Sequence, residues 1–125
     1  MAKRLSFKEM VERFDVTPRT LRHYEYIELL QPDREGRARW YGPREVARMT
    51  LIMRGRRFGF SLEEIRQWLE LYDADRDSKR QMETLIEYAD RQLVELEERR
   101  RELDGAIADL TDLRDDVRAS LAKVG

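Results

Sequence analysis

Hydrophobic residues recur with a helical period near the start of the chain, beginning at Ser6. Ser6 and Glu9 have the spacing of a capping box, in which each side chain bonds the backbone N–H of the other residue. Apolar side chains then fall at i, i+3, i+4 and i+7, on one face of a helix: Phe7, Met10, Val11 and Phe14. This pattern predicts a first amphipathic helix that starts at Ser6.

A second helix is predicted to follow directly after a turn at residues 15–16. Thr17 is suited to cap its first turn, and Pro18 stands at the first helical position, where a missing N–H costs nothing. Leu21 and Ile27 are expected to face the core. Because a turn this short makes the two helices cross steeply, they are predicted to form a helix-turn-helix.

The segment 31–42 is too short and too rich in turn residues to form a helix. Pro32 and Gly36 mark a bend, and residues 39–41 have the composition of a short strand. A small β-hairpin, the wing of a winged helix-turn-helix, is therefore expected here.

Two more helices are predicted between the wing and residue 72. Pro43 opens the third helix, and Gly55 and Gly59 are expected to loosen its end. Its inward stripe is predicted to consist of Val46, Met49, Thr50 and Met53. Ser61 and Glu64 form a second capping box, which starts a fourth helix.

After a polar break at residues 73–77, the pattern changes to a heptad repeat. Steps of four and three residues, starting at residue 82, meet an apolar side chain at eleven of thirteen positions. We call these thirteen positions the seam: Met82, Ile86, Ala89, Leu93, Leu96, Arg100, Leu103, Ile107, Leu110, Arg114, Val117, Leu121 and Val124. So strict a repeat indicates a coiled coil, whose simplest partner is a second copy of the chain.

These patterns predict a mainly α protein: a winged helix-turn-helix domain followed by a long coiled-coil dimerisation helix. The domain is assigned to residues 1–72, the linker to 73–78 and the dimerisation helix to 79–122. The seam residues expected to carry dimerisation are Ile86, Leu93, Leu96, Leu103, Ile107, Leu110 and Val117. Arg100 and Arg114 either extend their charged ends out of the seam or fix the register of the two helices, and the sequence leaves both interpretations open.

Charge is distributed unevenly along the 125 residues. The formal net charge is −1. Residues 1–68 contain 15 Lys and Arg against 10 Asp and Glu, whereas residues 69–125 contain 10 against 16. The first part is therefore the expected surface for a polyanion. The chain contains no cysteine, which excludes disulfides, thiolate metal sites and a cysteine nucleophile. No signal peptide or apolar membrane span is recognised, so a cytoplasmic protein is expected.

The second helix carries an unusual concentration of polar and basic side chains in its opening turns. A recognition helix needs such groups, because its N-terminal turns meet phosphates and base edges in the major groove. The predicted DNA-binding residues are Thr17, Arg19, Thr20, Arg22, His23 and Tyr24 on the helix, with Arg37, Arg39 and Tyr41 on the wing. Arginines 54, 56 and 57 are as well explained by solubility as by phosphate contact. His23 is interpreted as a surface or groove residue and not as a metal ligand.

Four segments, in this order, resemble the MerR family of bacterial transcription regulators. They are Thr17-Pro18-Arg19-Thr20-Leu21-Arg22-His23-Tyr24-Glu25, then Leu29-Leu30-Gln31-Pro32, Arg39-Trp40-Tyr41 and Gly59-Phe60-Ser61-Leu62-Glu63-Glu64-Ile65. The resemblance covers residues 5–72 closely, and the long last helix matches in kind.

The resemblance implies a homodimer with an antiparallel coiled coil that binds a pseudo-palindromic operator inside a promoter. Such regulators bend and untwist the promoter spacer, and so act on RNA polymerase indirectly. Arg22 matches the family's phosphate-contacting arginine and Tyr24 its groove-facing tyrosine, while Arg39 and Tyr41 match the wing. The chain departs from the family pattern at His23, where a tyrosine is usual, and in the wing, which lacks one tyrosine and is one residue longer.

The effector is constrained mainly by what the chain lacks. Metal- and redox-sensing relatives use cysteines, and drug-sensing relatives carry a separate C-terminal domain. Residues 54–60 and 71–73 are similar to a branch that controls branched-chain amino-acid and fatty-acid catabolism, which implies an acyl-thioester (acyl-CoA-like) effector. No cofactor is expected.

Two other classes of protein fit part of the pattern. One is a coiled-coil adaptor, whose basic domain would bind protein and show no salt-dependent DNA affinity. The other is an excisionase-like DNA-architectural protein, which shares the winged helix but usually lacks the long dimer helix. An enzyme is not expected, because the sequence offers no nucleophile–base pair, metal cluster or glycine-rich phosphate loop.

Overall fold

The computed structural model describes residues 3–74 and 79–125, with the side chains of 72–74 left out. The chain divides into two compact units, Met1–Glu83 and Thr84–Gly125. Of the linker expected at 73–78, residues 75–78 lie outside the described residues, and the fourth helix continues to Ala74.

The elements follow the predicted order, with one additional strand. They are β1 Leu5–Ser6, α1 Phe7–Phe14, α2 Pro18–Tyr26, β2 Asp33–Glu35, β3 Ala38–Tyr41, α3 Pro43–Phe58, α4 Leu62–Ala74 and α5 Lys79–Val124. The mainly α fold with a helix-turn-helix and a wing is therefore confirmed.

The helix starts predicted from local sequence are confirmed by their hydrogen bonds. The backbone N–H of Glu9 donates to Ser6 Oγ at 3.1 Å, and that of Ser6 donates to Glu9 Oε1 at 2.9 Å. The Thr20 N–H donates to Thr17 Oγ1 at 3.0 Å. Ser61 and its capping partner three residues later repeat the first arrangement at the start of α4. These bonds satisfy N–H groups that a helix start would otherwise leave unpaired.

The wing is the predicted hairpin, and it pairs with a strand that the sequence pattern did not indicate. Strand order in the sheet is β1-β3-β2, and both pairings are antiparallel. β2 and β3 are joined by a two-residue turn whose first residue, Gly36, has φ +62°. A positive φ at that position is what a type II′ turn requires. With two residues, β1 is too short to show an alternating pattern in sequence.

The core of the first unit lies between α1, α2, the sheet, α3 and α4. Its buried hydrophobic residues are Leu5, Met10, Leu21, Tyr24, Leu29, Leu30, Tyr41, Met49, Ile52, Phe60, Ile65 and Leu69. The predicted inward stripe of α3 is wrong in register. Met49 is buried as expected, but the other buried positions are Glu45, Ile52 and Gly55, while the remaining predicted members are half-buried. Ile27 is also only half-buried.

The carboxylate of Glu45 is buried and holds the chain segment between α2 and the wing in place. It accepts a hydrogen bond from the Gln31 N–H at 3.0 Å and pairs with Arg44 at 2.6 Å. Arg48, one turn later on α3, donates to the Leu29 carbonyl oxygen at 3.0 Å. A buried carboxylate needs such partners to offset its lost hydration.

Gly55 does not loosen α3, contrary to expectation. The helix continues through it to Phe58, and it is Gly59, with φ +88°, that ends the helix in the left-handed conformation. Gly55 packs directly against side chains of α4. A Cβ built there would lie 2.7 Å from Ile65 Cγ1 and 3.6 Å from Trp68 Cζ3. The sequence pattern could not show this, because the neighbour that requires the glycine is ten residues away.

Helix α5 is 46 residues long and leaves most of its apolar side chains exposed. At 1.5 Å per residue, a helix of this length is about 69 Å long. No helix among the described residues has an apolar stretch long enough to cross a membrane.

We expect Gly55→Ala to lower the free energy of unfolding of the first unit by about 1 kcal/mol. The added methyl group overpacks the contact with Ile65 at a cost of about 1–3 kcal/mol, which outweighs the gain of about 1 kcal/mol in helix propensity. Urea unfolding followed by circular dichroism measures the difference.

Gly105→Ala is the matched control, because a Cβ at Gly105 in α5 would meet no atom within 4 Å. This variant should be more stable, by up to about 1 kcal/mol, through helix propensity alone. If both variants gained stability equally, close packing at Gly55 would not be a constraint.

Candidate nucleic-acid interface

Helix α2 has one buried face and one exposed cationic face. Leu21 has no exposed surface, whereas Arg19, Arg22 and His23 are exposed. Positions three and four apart lie on the same side of a helix, so these three cationic or potentially cationic side chains form one surface. Within the described part of the chain, no carboxylate lies within 4.0 Å of their nitrogens.

The two threonines of the predicted set stand at the start of this face. Thr17 is exposed and Thr20 half-buried. The Thr17 hydroxyl is engaged in the helix cap and lies 2.9 Å from the Thr20 hydroxyl. Pro18 and this cap fix the first turn, so the positions of the cationic side chains that follow are set by local sequence.

The wing presents its two predicted arginines differently. Arg37, in the hairpin turn, is exposed and has no ion pair among the described residues. Arg39 is half-buried, and its Nε lies 3.3 Å from Glu25 Oε1. Its guanidinium also lies over the Phe7 ring at 5.4 Å, and that of Arg22 lies over the same ring at 5.6 Å. Phe7 therefore brings together one arginine of the recognition helix and one of the wing.

Tyr41 is not a DNA-facing residue, and this prediction is wrong. Its side chain has no exposed surface, because β3 points it into the core between the wing and α2. Burial of the ring, and secondly the nearby Glu25 carboxylate, raise the pKa of Tyr41 well above its ordinary value. The Glu25 side chain is itself 6% exposed. Arg39 is thus the countercharge of a buried carboxylate, and its predicted role as a free phosphate ligand has to be revised.

The expectation that Tyr24 faces the groove also needs correction. Tyr24 is 6% exposed and belongs mainly to the core. What remains accessible of it lines a cleft of about 430 Å³ together with Arg19, Thr20, His23, Arg56 and Leu62. This cleft, which we call the α2–α4 cleft, runs between the recognition helix and the start of α4.

Of the three arginines at positions 54, 56 and 57, one lines the α2–α4 cleft. Arg54, Arg56 and Arg57 are all exposed, but only Arg56 lines the cleft. The carboxylates at the start of α4 have other partners: Glu63 pairs with Arg66 at 3.5 Å, and Glu64 accepts from the Ser61 N–H at 3.0 Å. Three cationic or potentially cationic groups and a hydroxyl therefore converge on one concave surface, which is suited to a phosphate.

Among the described residues, no group of three or more His, Asp or Glu side chains is arranged to hold a metal ion. His23 has a tilted ring contact with Tyr24, at 6.3 Å between ring centroids.

The seam residues of α5 lie along an uncovered face of the second unit. Six of the seven residues expected to carry dimerisation are 55–66% exposed: Ile86, Leu93, Leu103, Ile107, Leu110 and Val117. Leu96 is half-buried.

Tyr26, the last residue of α2, is not among the predicted DNA-binding residues. Its side chain is 86% exposed. It lies four residues after Arg22 and three after His23, and this spacing alone places it on the cationic face.

Two family models match the chain over most of its length. The MerR regulatory-protein helix-turn-helix family matches residues 5–71, and the family described as MerR, DNA binding matches residues 46–113. Together they span both the winged domain and most of α5.

Curated regulators are similar over most of the chain. The transcriptional regulator HmrR of Rhizobium leguminosarum bv. viciae is 38% identical over 80% of this chain and 81% of its own length. ZntR of Escherichia coli K12 is 28% identical over 76% of this chain and 72% of its own.

Solved structures share the fold. A MerR-family transcriptional regulator from Bacillus cereus has a TM-score of 0.75 at 25% identity, covering 88% of this chain and 79% of that one. HiNmlR, a MerR-family regulator lacking the sensor domain and bound to promoter DNA, has a TM-score of 0.67 at 20% identity, covering 87% and 89%. The chain belongs to the MerR family of DNA-binding transcription regulators.

Proposed function

We propose that the protein binds a pseudo-palindromic promoter operator as a homodimer and contacts each half-site through three surfaces of the first unit. These are the cationic face of α2, the wing turn at Arg37 and the α2–α4 cleft. The observation that carries the proposal is the group of cationic or potentially cationic side chains around that cleft, Arg19, His23 and Arg56, which have no carboxylate partner among the described residues.

The three surfaces have different tasks. The opening turns of α2 are suited to the major groove, where Arg19 and Thr20 would reach base edges. Arg37 stands in the turn of the wing and Arg56 near the end of α3, and each is suited to a backbone phosphate. Phosphate contacts fix the register of the protein on the duplex without reading its sequence.

Dimerisation is supported by the exposed face of α5. An isolated helix that exposes a row of Leu, Ile and Val side chains gains stability by covering them against a second apolar surface. A second copy of α5 offers that surface with the same heptad spacing. A two-fold dimer would in turn match a pseudo-palindromic operator, as in other helix-turn-helix dimers.

We infer that the protein affects transcription in the way that the family resemblance implies. Two recognition helices held at a fixed separation would bend and untwist the promoter spacer, and so control RNA polymerase without contacting it. An acyl-thioester is the effector class that the sequence resemblance implies, and a shift in operator affinity on addition of an acyl-CoA would test it.

Arg56→Ala should weaken binding to the promoter DNA upstream of its own gene. Losing one phosphate contact lowers affinity for all sequences and reduces the slope of log K against log salt by about 1. Fluorescence anisotropy at several salt concentrations, against scrambled DNA of equal length, measures both quantities. Wild-type protein that failed to prefer the promoter DNA would argue against the proposed function itself.

Arg57→Ala is the matched control for this experiment. It removes the same charge from the neighbouring exposed position of α3, but Arg57 does not line the cleft. We expect a smaller loss of affinity and an unchanged salt slope. Equal effects of the two variants would mean that Arg56 acts only through the general charge of the domain.

Arg39→Ala should destabilise the first unit, whereas Arg37→Ala should not. Removing Arg39 leaves the buried Glu25 carboxylate without its ion-pair partner, at an expected cost of about 1–3 kcal/mol given the partial exposure of Arg39. Arg37→Ala should lower DNA affinity at unchanged stability. Thermal unfolding and DNA titration of both variants separate the two roles. Equal stability of both would show that the ion pair does not hold the wing.

Leu103→Asp should split the dimer, because it places a carboxylate within the apolar seam. Val94→Asp is the control, since Val94 is 59% exposed on the same helix but is not a seam residue. Sedimentation velocity measures the mass of each. A Leu103→Asp protein that stays dimeric, or a Val94→Asp protein that dissociates, would contradict the assignment of the seam.

A further inference from the structure

Tyr26 is a large aromatic side chain that the structure leaves almost entirely in solvent. At 86% exposure it is the most exposed large hydrophobic residue of the described part of the first unit, where Met82 follows at 50% and Phe58 at 42%. Within the described residues it has no hydrogen bond, ion pair or ring contact. It therefore contributes little to the packing of the domain, and its ring and hydroxyl are both available to a ligand.

Helical geometry places Tyr26 in line with the cationic face of α2. Residues 19, 22, 23 and 26 stand at i, i+3, i+4 and i+7, and all four are exposed. Seven residues advance about 10.5 Å along a helix, against a major-groove width of about 12 Å. With the first turn of α2 directed at base edges, its last residue stands at the level of the groove wall, where the sugar–phosphate backbone lies.

We propose that the Tyr26 hydroxyl donates a hydrogen bond to a backbone phosphate at the edge of the major groove. The ligand is the DNA phosphodiester, and the effect is on affinity and register, not on base preference. This inference rests on the proposed function, because it assumes that α2 enters the groove.

Tyr26 is the tyrosine of α2 and the wing that has a free hydroxyl for this contact. Tyr41 is fully buried beside Glu25, and Tyr24 is 6% exposed. A hydroxyl on a ring with two side-chain torsions loses little conformational freedom on binding, which makes tyrosine well suited to an exposed contact. The neighbouring Arg22 and His23 attract the same backbone, so the hydroxyl adds to an electrostatic field that already favours phosphate.

Tyr26→Phe tests the hydroxyl alone and should weaken promoter binding about tenfold, the scale of one hydrogen bond to a charged group. The loss should be equal in proportion on promoter and scrambled DNA, because a phosphate contact carries no sequence information. Tyr88→Phe is the control, since it removes a phenol from the second unit, and its affinity should equal that of the wild type. Tyr26 is exposed, so the unfolding temperature of Tyr26→Phe should equal that of the wild type.

Single methylphosphonate substitutions along each half of the promoter DNA then locate the contact. At one phosphate position in each half-site, the substitution should lower the affinity of the wild-type protein. At that same position it should cause no further loss of affinity in Tyr26→Phe, because that variant already lacks the hydrogen bond. The phosphate contact would be overturned if Tyr26→Phe bound promoter DNA as tightly as the wild type. It would also be overturned if, at every position, the affinity losses caused by Tyr26→Phe and by the methylphosphonate were additive. If instead the wild type did not bind promoter DNA selectively, the proposed function would have failed, and these measurements keep the two outcomes apart.

Discussion

The buried carboxylate of Glu25 sets where the wing stands relative to the recognition helix. A carboxylate with 6% of its side chain exposed has lost most of its hydration, and the fold offsets that loss with the guanidinium of Arg39 at 3.3 Å. Since Arg39 belongs to β3 and Glu25 to α2, this ion pair links the wing to α2. Phe7 supports the same arrangement, because its ring contacts both the guanidinium of Arg39 from the wing and that of Arg22 from α2.

This arrangement divides the arginines of the first unit into two groups with different chemistry. Arg39 and Arg48 are held by internal partners, one a carboxylate and the other a backbone carbonyl, and they stabilise the domain. Arg19, Arg37 and Arg56 have no carboxylate partner among the described residues, so their guanidinium groups are available to bind an external anion. Net charge and arginine count cannot separate the groups, because the separation depends on which carboxylates lie within reach.

The second unit follows a simpler constraint, the exposure of apolar side chains on α5. Its seam repeats every seven residues, and most of the side chains along it are exposed in the single chain. A helix of this kind is stabilised mainly by the surface that covers it, so its stability and its association are linked. The dimer expected for a MerR-family regulator is the arrangement in which identical heptads meet.

The amino-acid sequence alone determined what depends on near neighbours in the chain. Both capping boxes, the Thr17 cap, the hairpin turn at Gly36 and the long last helix follow from local patterns, and each was predicted correctly because its physical cause lies within a few residues. Which residues are buried, and which segments pack against each other, followed from the tertiary fold. It placed Tyr24 and Tyr41 in the core, left Tyr26 in solvent, paired β1 with β3 and required a glycine at position 55. These outcomes depend on contacts between segments far apart in sequence, and no local pattern contains their distance or direction.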